Sequence, residues 1–418
     1  MDFPDLEKVI HFLDHRPVHR HYSTKGICHL LEETQTIRLP SHVIHVAGTN
    51  GKGSVCAILA HVYRQAGYSV GFYSSPHLVD IRERIQISGQ YISKKDFLEH
   101  FSKIHEIAEQ WESEDSENFI SHFEYLTAMA LSFFKEKCPD IVLLETGMGG
   151  RHDATTATVA DTTVITTIHY DHQCHLGQTL GEIAHEKAGI LLPHVPLLVG
   201  NIPEEAFNVI QKQAHDLGVP MIPSRAFGID DETWRRRYAP LPLYQRDNMA
   251  TACSVVQWLQ KKFPLSSQIW AQASSQFYWP CRWERFYNEM AGEMILDGAH
   301  NLEGAQAILR EIENHRANGT PFQQLIFGSI EMDRARHMLA LLVPHFEEVF
   351  LVISGYERHL SGKDFHSCIP ENFRARIQMI TLEQAGNFLA KKKKILITGS
   401  LYMLGSLLTS YRPLWRSV

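Results

Sequence analysis

The stretch that most constrains this chain is an apolar run over residues 43–47, followed by Gly48-Thr49-Asn50-Gly51-Lys52-Gly53-Ser54 and the helical spacing of Val55, Leu59 and Val62. A strand, a glycine-rich turn and a helix in that order open a parallel sheet covered by helices. Glycines let backbone N–H groups turn inward, and the helix start adds more donors. With Lys52 as a mobile cation, such a turn suits a phosphate. Ser54 can offer its hydroxyl to magnesium. The usual Walker spacing is not met: Val46 stands where its first glycine would be, and Gly53 separates Lys52 from Ser54. An ordinary glycine turn is the plain alternative, and a dinucleotide site would leave the lysine with little purpose.

The same alternation continues downstream. Strands are expected over 69–73, 141–144, 164–168, 197–199 and 219–222, and helices over 5–13, 119–135, 204–217 and 247–260. Residues 14–40 read as a loop rich in histidine and charge, and 223–245 as irregular. Near residue 280 a new series begins, with strands over 294–296, 324–327, 348–353 and 394–398 and a helix from Glu303. At 418 residues the chain exceeds what one core usually serves. The expectation is an α/β protein with two domains. An N-terminal P-loop-type domain with a mostly parallel sheet spans 1–283, and a smaller Rossmann-like α/β domain spans 284–418.

Charge narrows the partners. With 40 basic and 47 acidic residues, the chain has a formal charge of -7. That balance argues against nucleic-acid binding through a basic surface and leaves room for a local anion pocket. The seven cysteines form no CxxC pair, so neither a disulfide scaffold nor a thiolate zinc site is suggested. No apolar span is long enough for a bilayer, and the chain reads as cytoplasmic.

Three further segments carry polar chemistry. Glu145-Thr146-Gly147-Met148-Gly149-Gly150-Arg151-His152-Asp153 follows a buried strand, where open α/β folds place ligands, and its carboxylate suits a hard cation. His169-Tyr170-Asp171-His172 also follows a strand. His172 is the preferred ligand there, with Asp171 orienting it, and zinc lacks a compact third and fourth partner. Lys187, near the end of a helix, reads equally as a solvated surface lysine, an anion contact or a modified side chain.

Taken together, HVAGTNGKGSV (45–55), SPHL (75–78), RERI (82–85), FEYLTAMA (123–130), ETGMGGRHDAT (145–155), DH (171–172), LGQTLGEIAHEKAGI (176–190) and LDGAHN (296–301) resemble the folylpolyglutamate synthase / dihydrofolate synthase family of the Mur-ligase superfamily. The resemblance runs in family order over nearly the whole chain. It implies ATP-dependent amide formation: dihydropteroate or a reduced folate is phosphorylated on its carboxylate, and L-glutamate attacks the acyl phosphate. It further implies that Gly48, Thr49, Asn50, Gly51, Lys52, Gly53 and Ser54 cradle ATP, with Lys52 on the β/γ-phosphates. Ser54, Glu145 and His172 would hold Mg2+, and Lys187 matches the family's carbamylated lysine. Ser75, Pro76, His77 and Arg84 fall in the segment near the acceptor. Asn248, Arg282, Asp297 and His300 match residues around adenine, ribose and phosphate, the nucleotide lying between the domains. Ser354 and Tyr356 match contacts to glutamate, and a monomer is the family expectation.

The chain also departs from the pattern. The family's glycine–asparagine–proline segment ahead of the first strand is replaced by residues 27–39. Thr156 stands where asparagine is common, and Leu302 replaces a proline after Asn301. None of these removes a phosphate or metal ligand. Two other functions compete with the folate ligase: a Mur-type ligase acting on a cell-wall precursor, and an ATP-binding scaffold that has lost its chemistry.

Overall fold

The computed structural model describes residues 5–16, 24–227, 238, 241–288, 292–353, 360–369, 371–388, 393–411 and 416–417. The chain divides into two compact units, Met1–Ala239 with Gln245–Phe277 and Pro240–Tyr244 with Tyr278–Val418. Ser354 and Tyr356 lie outside the described residues. Among the described residues, no helix is long and apolar enough to cross a membrane.

In the first unit, eight described strands form one sheet in the order β4-β3-β2-β5-β1-β6-β7-β8. They are β1 (His42–Ala47), β2 (Val70–Tyr73), β3 (Ile85–Ile87), β4 (Gln90–Tyr91), β5 (Ile141–Glu145), β6 (Thr162–Ile165), β7 (Leu197–Val199) and β8 (Met221–Pro223). Among the described strands only β3 runs against the others, pairing antiparallel with β2 and with the edge strand β4. β1 is buried along its whole length and pairs in parallel with β5 on one side and β6 on the other.

Side chains alternate along β1, so Val43, His45 and Ala47 share one face. On that face Val43 enters a core built by α1 (Leu6–Asp14), α2 (Lys25–Glu33), α4 (Lys94–Glu114) and α5 (His122–Lys137). Ala47 enters a second core under α7 (Leu180–Lys187) and α8 (Glu204–Asp216). α3 (Lys52–Gln65) packs against β1, β2 and β5, and α6 (Gln173–Leu176) is a single turn ahead of α7.

Two sequence expectations change here. Residues 14–40 are not all loop, because α2 occupies Lys25–Glu33. Its buried Ile27, Leu30 and Leu31 join the first core, and the Ile27 N–H donates to Glu124 Oε1 at 3.1 Å. Glu124 also closes the capping box of α5 with Ser121, so one buried carboxylate fixes both helices. The strand expected over 164–168 ends at Ile165, because the following threonines turn to hold the phosphate loop.

In the second unit, seven described strands follow the order β13-β12-β11-β14-β10-β9-β15. These are β9 (Glu284–Asn288), β10 (Gly292–Asp297), β11 (Gln324–Phe327), β12 (Glu348–Ile353), β13 (Ile377–Thr381), β14 (Ile395–Thr398) and β15 (Arg416–Ser417). The strands from β13 to β10 in that order are parallel, and β9 pairs antiparallel with β10 on one side and with the edge strand β15 on the other.

Candidate active site

Because β5, β1 and β6 are parallel neighbours, residues Gly48, Thr146 and Thr166 leave the sheet at the same edge. Ligands of open α/β sheets bind at that edge. Gly51 caps α3 with φ 83, and a Cβ there would stand 2.2 Å from Asn248 Oδ1. Both the left-handed backbone and the close approach demand glycine. The end of β6 braces the loop. Thr49 N–H donates to the Thr167 carbonyl at 2.8 Å, Asn50 N–H donates to the Thr167 hydroxyl at 3.0 Å, and the Thr166 hydroxyl donates to the Asn50 carbonyl at 2.6 Å.

Two lysines converge on this loop. The Gly48 carbonyl accepts from Lys52 Nζ at 3.0 Å and from Lys187 Nζ at 2.9 Å. Lys187 ends α7 and is only 3% exposed, which excludes the solvated-surface reading. Such a concentration of positive charge is relieved by an anion.

Glu145, at the end of β5, is buried beside the start of α3. Both its carboxylate oxygens lie 3.2 Å from where a Cβ on Gly53 would stand, so any larger residue would crowd them. Its Oε2 also accepts the Ser75 N–H at 3.1 Å. Segments 48–54, 75 and 145, separate in sequence, are thereby one cluster, with Ser54 buried in it. A buried carboxylate and hydroxyl are hard oxygen donors and fit magnesium. Among the described residues no group of three or more His, Cys, Asp or Glu could hold a metal by itself. A cation held by Glu145 and Ser54 would take phosphate oxygens and water for the rest of its shell.

His172 takes a left-handed φ of 49 at the head of α6, and its N–H donates to Asp171 Oδ1 at 3.0 Å. Asp171 Oδ2 lies 3.9 Å from the His172 Nε2 atom. The segment is tied to the phosphate loop through His169, whose N–H donates to the Thr49 hydroxyl at 3.0 Å.

In the 75–84 segment, His77 Nδ1 accepts from Arg84 Nε at 2.9 Å. Burial and then the Arg84 charge push His77 down to about 3, so it is a neutral acceptor. Glu83, which the sequence reading passed over, accepts the backbone N–H groups of Leu78, Val79 and Asp80 at 2.7, 3.0 and 2.9 Å and shapes this loop.

A cavity of about 390 Å3 opens beside the 147–154 loop, walled by Phe123, Met148 and Leu176 with His152, Asp153 and Glu186 as polar groups. Asp153 is buried, and its carboxylate gathers the loop. Oδ2 accepts from Gly147 and Met148 N–H at 2.8 and 2.9 Å, and Oδ1 accepts from the Thr155 N–H at 3.0 Å and its hydroxyl at 2.5 Å. Burial raises its pKa, against the pull of those donors. The loop docks on α7 through Arg151 N–H, which donates to the Glu186 carbonyl at 2.9 Å.

In the second unit, Arg282 stands between two non-glycine residues in the left-handed region, Cys281 at φ 54 and Trp283 at φ 58. Backbone of this kind persists only when its surroundings over-determine it, and it clusters at ligand sites. Arg282 Nη1 donates to the Cys281 carbonyl at 2.9 Å. His300 Nδ1 lies 2.9 Å from the Gly298 carbonyl. Asp297 ends β10. It is buried, and its carboxylate accepts from the Tyr244 hydroxyl, from Trp283 N–H at 2.9 Å and from Ala299 N–H at 2.9 Å. These donors fix the turn that follows β10.

The family pattern of the Mur ligase middle domain matches residues 46–263, more than half of the chain, and takes in the phosphate loop, Glu145, His172 and Lys187. The chain belongs to the Mur ligase middle-domain family. This ligase is 29% identical over 381 residues to the folylpolyglutamate synthase of Lacticaseibacillus casei, covering 86% of this chain and 87% of that one. It is 28% identical over 390 residues to the dihydrofolate synthase/folylpolyglutamate synthase of Bacillus subtilis (strain 168), covering 87% and 89%. Its fold matches that of Escherichia coli FolC in complex with DHPP and ADP, with a TM-score of 0.83, 25% identity, and 98% of each chain covered. Like them it is an ATP-dependent ligase.

Proposed function

We propose that this ligase uses ATP and magnesium to join L-glutamate to dihydropteroate and to the glutamate tail of reduced folates, through an acyl phosphate, with ADP and phosphate as products. A carboxylate is a poor electrophile, and transfer of the γ-phosphoryl group to one of its oxygens supplies the leaving group it lacks. The amine of glutamate then attacks the acyl carbon, the C–O bond breaks, and phosphate departs. The observation that carries the reading is the convergence of Lys52 and Lys187 on the Gly48 carbonyl beside the buried Glu145.

In this reading Lys52 leaves its carbonyl partners for the β- and γ-phosphates and balances charge as it develops. Ser54, Glu145 and His172 would hold magnesium, which when bound screens the phosphate oxygens and polarises the transferring group. Lys187 is carbamylated. A carbamate keeps one N–H for the Gly48 carbonyl and turns the far end of the side chain into an anion. The acceptor enters the cavity walled by Phe123 and Met148, with Ser75, Pro76, His77 and Arg84 ordering its approach. Asn248, Arg282 and His300 serve the nucleotide. The relatives' names, and the DHPP and ADP in the Escherichia coli complex, support the choice of substrates.

The test is glutamate-dependent phosphate release with dihydropteroate and with tetrahydrofolate, products being identified by mass. Turnover with both acceptors is the expected result. Turnover with one alone restricts the enzyme to that reaction, and no turnover with either, from folded protein, overturns the substrate assignment.

A further inference from the structure

His45 lies on β1 between Val43 and Ala47, three residues before the phosphate loop, and is 1% exposed. A polar ring in that position is costly unless its hydrogen bonds are met. Its Nε2 lies 2.7 Å from the Thr155 hydroxyl. The Thr155 hydroxyl donates to Asp153 Oδ1 at 2.5 Å, so its lone pair is open to an N–H from His45. Burial drives the imidazole pKa down to about 3, which leaves His45 neutral, and the tautomer with its proton on Nε2 is the one that complements the Thr155 oxygen. The bonds converge on Asp153: His45 Nε2–H donates to the Thr155 hydroxyl oxygen, the Thr155 O–H donates to Asp153 Oδ1, and the N–H groups of Gly147 and Met148 on the cavity wall donate to Asp153 Oδ2.

No apolar residue in place of His45 could start this relay. We infer that His45 is a positioning residue that ties the strand bearing the phosphate loop to the 147–155 loop, so that the nucleotide end and the acceptor cavity keep a fixed register. The inference rests on the reading of that cavity as the acceptor pocket. Because the relay spans from β1 to the far loop through side chains alone, its loss frees the 147–155 loop and leaves the phosphate loop, braced by Thr167, in place. The consequence is a split in kinetics: the acceptor is bound less well, while the nucleotide is bound as before.

Two measurements test it. Hydrogen exchange on the full chain without substrates follows the amides of Gly147, Met148 and Thr155 against those of Thr49 and Asn50. In His45→Leu and in Thr155→Val the first set should exchange about tenfold faster, the loss expected from one buried hydrogen bond, with the second set unchanged. Steady-state kinetics should show the acceptor KM raised about tenfold and the ATP KM unchanged, with His45→Gln, which restores a donor near the position of Nε2, recovering most of the loss. The double variant should be no worse than either single one, because both remove the same relay. Equal acceleration of both loops, unchanged exchange at 147–155, or additive losses would each overturn the inference. If the wild-type enzyme turns over no folate, the substrate reading fails while the exchange result still decides the role of His45.

Discussion

Lys187 Nζ and the carbonyl oxygen of Gly48 lie 2.9 Å apart, joining the last residue of α7 to the first residue of the phosphate loop across 139 positions of sequence. A buried amine held against the loop that grips phosphate is placed to act on whatever the phosphate is transferred to. Lys187→Ala should lower kcat by about 10^2–10^3-fold, the scale of losing one group that stabilises transition-state charge. Nucleotide binding, measured by ADP titration, should persist. Rescue by bicarbonate or a short carboxylate would support the carbamate, whereas full activity in the variant would remove Lys187 from the chemistry.

The turn at Gly51 gives a second prediction. An alanine there must adopt φ 83 and place a methyl 2.2 Å from Asn248 Oδ1. The left-handed backbone alone costs about 1–2 kcal/mol for an L-residue. Gly51→Ala should lower the thermal midpoint and raise the ATP KM, with the acceptor KM little changed. Nucleotide affinity equal to that of the wild type would show that the loop is not shaped as described.

Magnesium should be required, and its demand should trace to Ser54 and Glu145. Chelation should stop turnover, and Mg2+ should restore it. Ser54→Ala, which deletes one hydroxyl donor, should raise the Mg2+ concentration for half-maximal turnover about tenfold. Turnover at the wild-type Mg2+ concentration in both Ser54→Ala and Glu145→Gln would place the cation elsewhere.

The pH dependence of stability carries a fourth prediction. The folded His45 titrates at about 3 because it is buried, against an ordinary value of 6.5. Between those values the unfolded chain binds the proton and the folded chain does not, so stability is full above pH 6.5 and falls as the pH drops toward 3. The buried Asp153 and Asp297, whose values are raised, act in the opposite sense at the acid end of that range. Comparing the wild type with His45→Gln isolates the histidine. From about pH 7.5 to about pH 5 the wild type should lose about 2 kcal/mol more than the variant, at 1.36 kcal/mol per unit. Urea midpoints at the two pH values measure it, and parallel losses would mean that His45 is not buried as a neutral ring.

Much of the fold was legible in the sequence because β1, β5 and β7 are short apolar runs with turn residues at their ends. α2 was not legible, since Ile27, Leu30 and Leu31 stand among histidines and charges, and its N–H donor at Ile27 is met by Glu124, 97 residues away. The motifs named the phosphate loop, Glu145 and Lys187, but no spacing could say that Lys187 is buried, because its cover comes from the remote phosphate loop. Asp153, Glu83 and His45 were passed over for a related reason: each acts by holding backbone or a neighbour in place. A faint signal existed for Asp153, whose side chain caps the turn at 154–157 that the D-A-T triplet announces.

The central claim is that the acceptor carboxylate itself attacks the γ-phosphate, and an isotope label tests it most directly. With the acceptor carboxylate carrying 18O, a single turnover with ATP, magnesium and L-glutamate should release phosphate bearing one 18O atom derived from the acceptor. The amide product should retain the other. Phosphate free of label, with amide product formed, would contradict an acyl phosphate and with it the mechanism built on Lys52, Glu145 and Lys187.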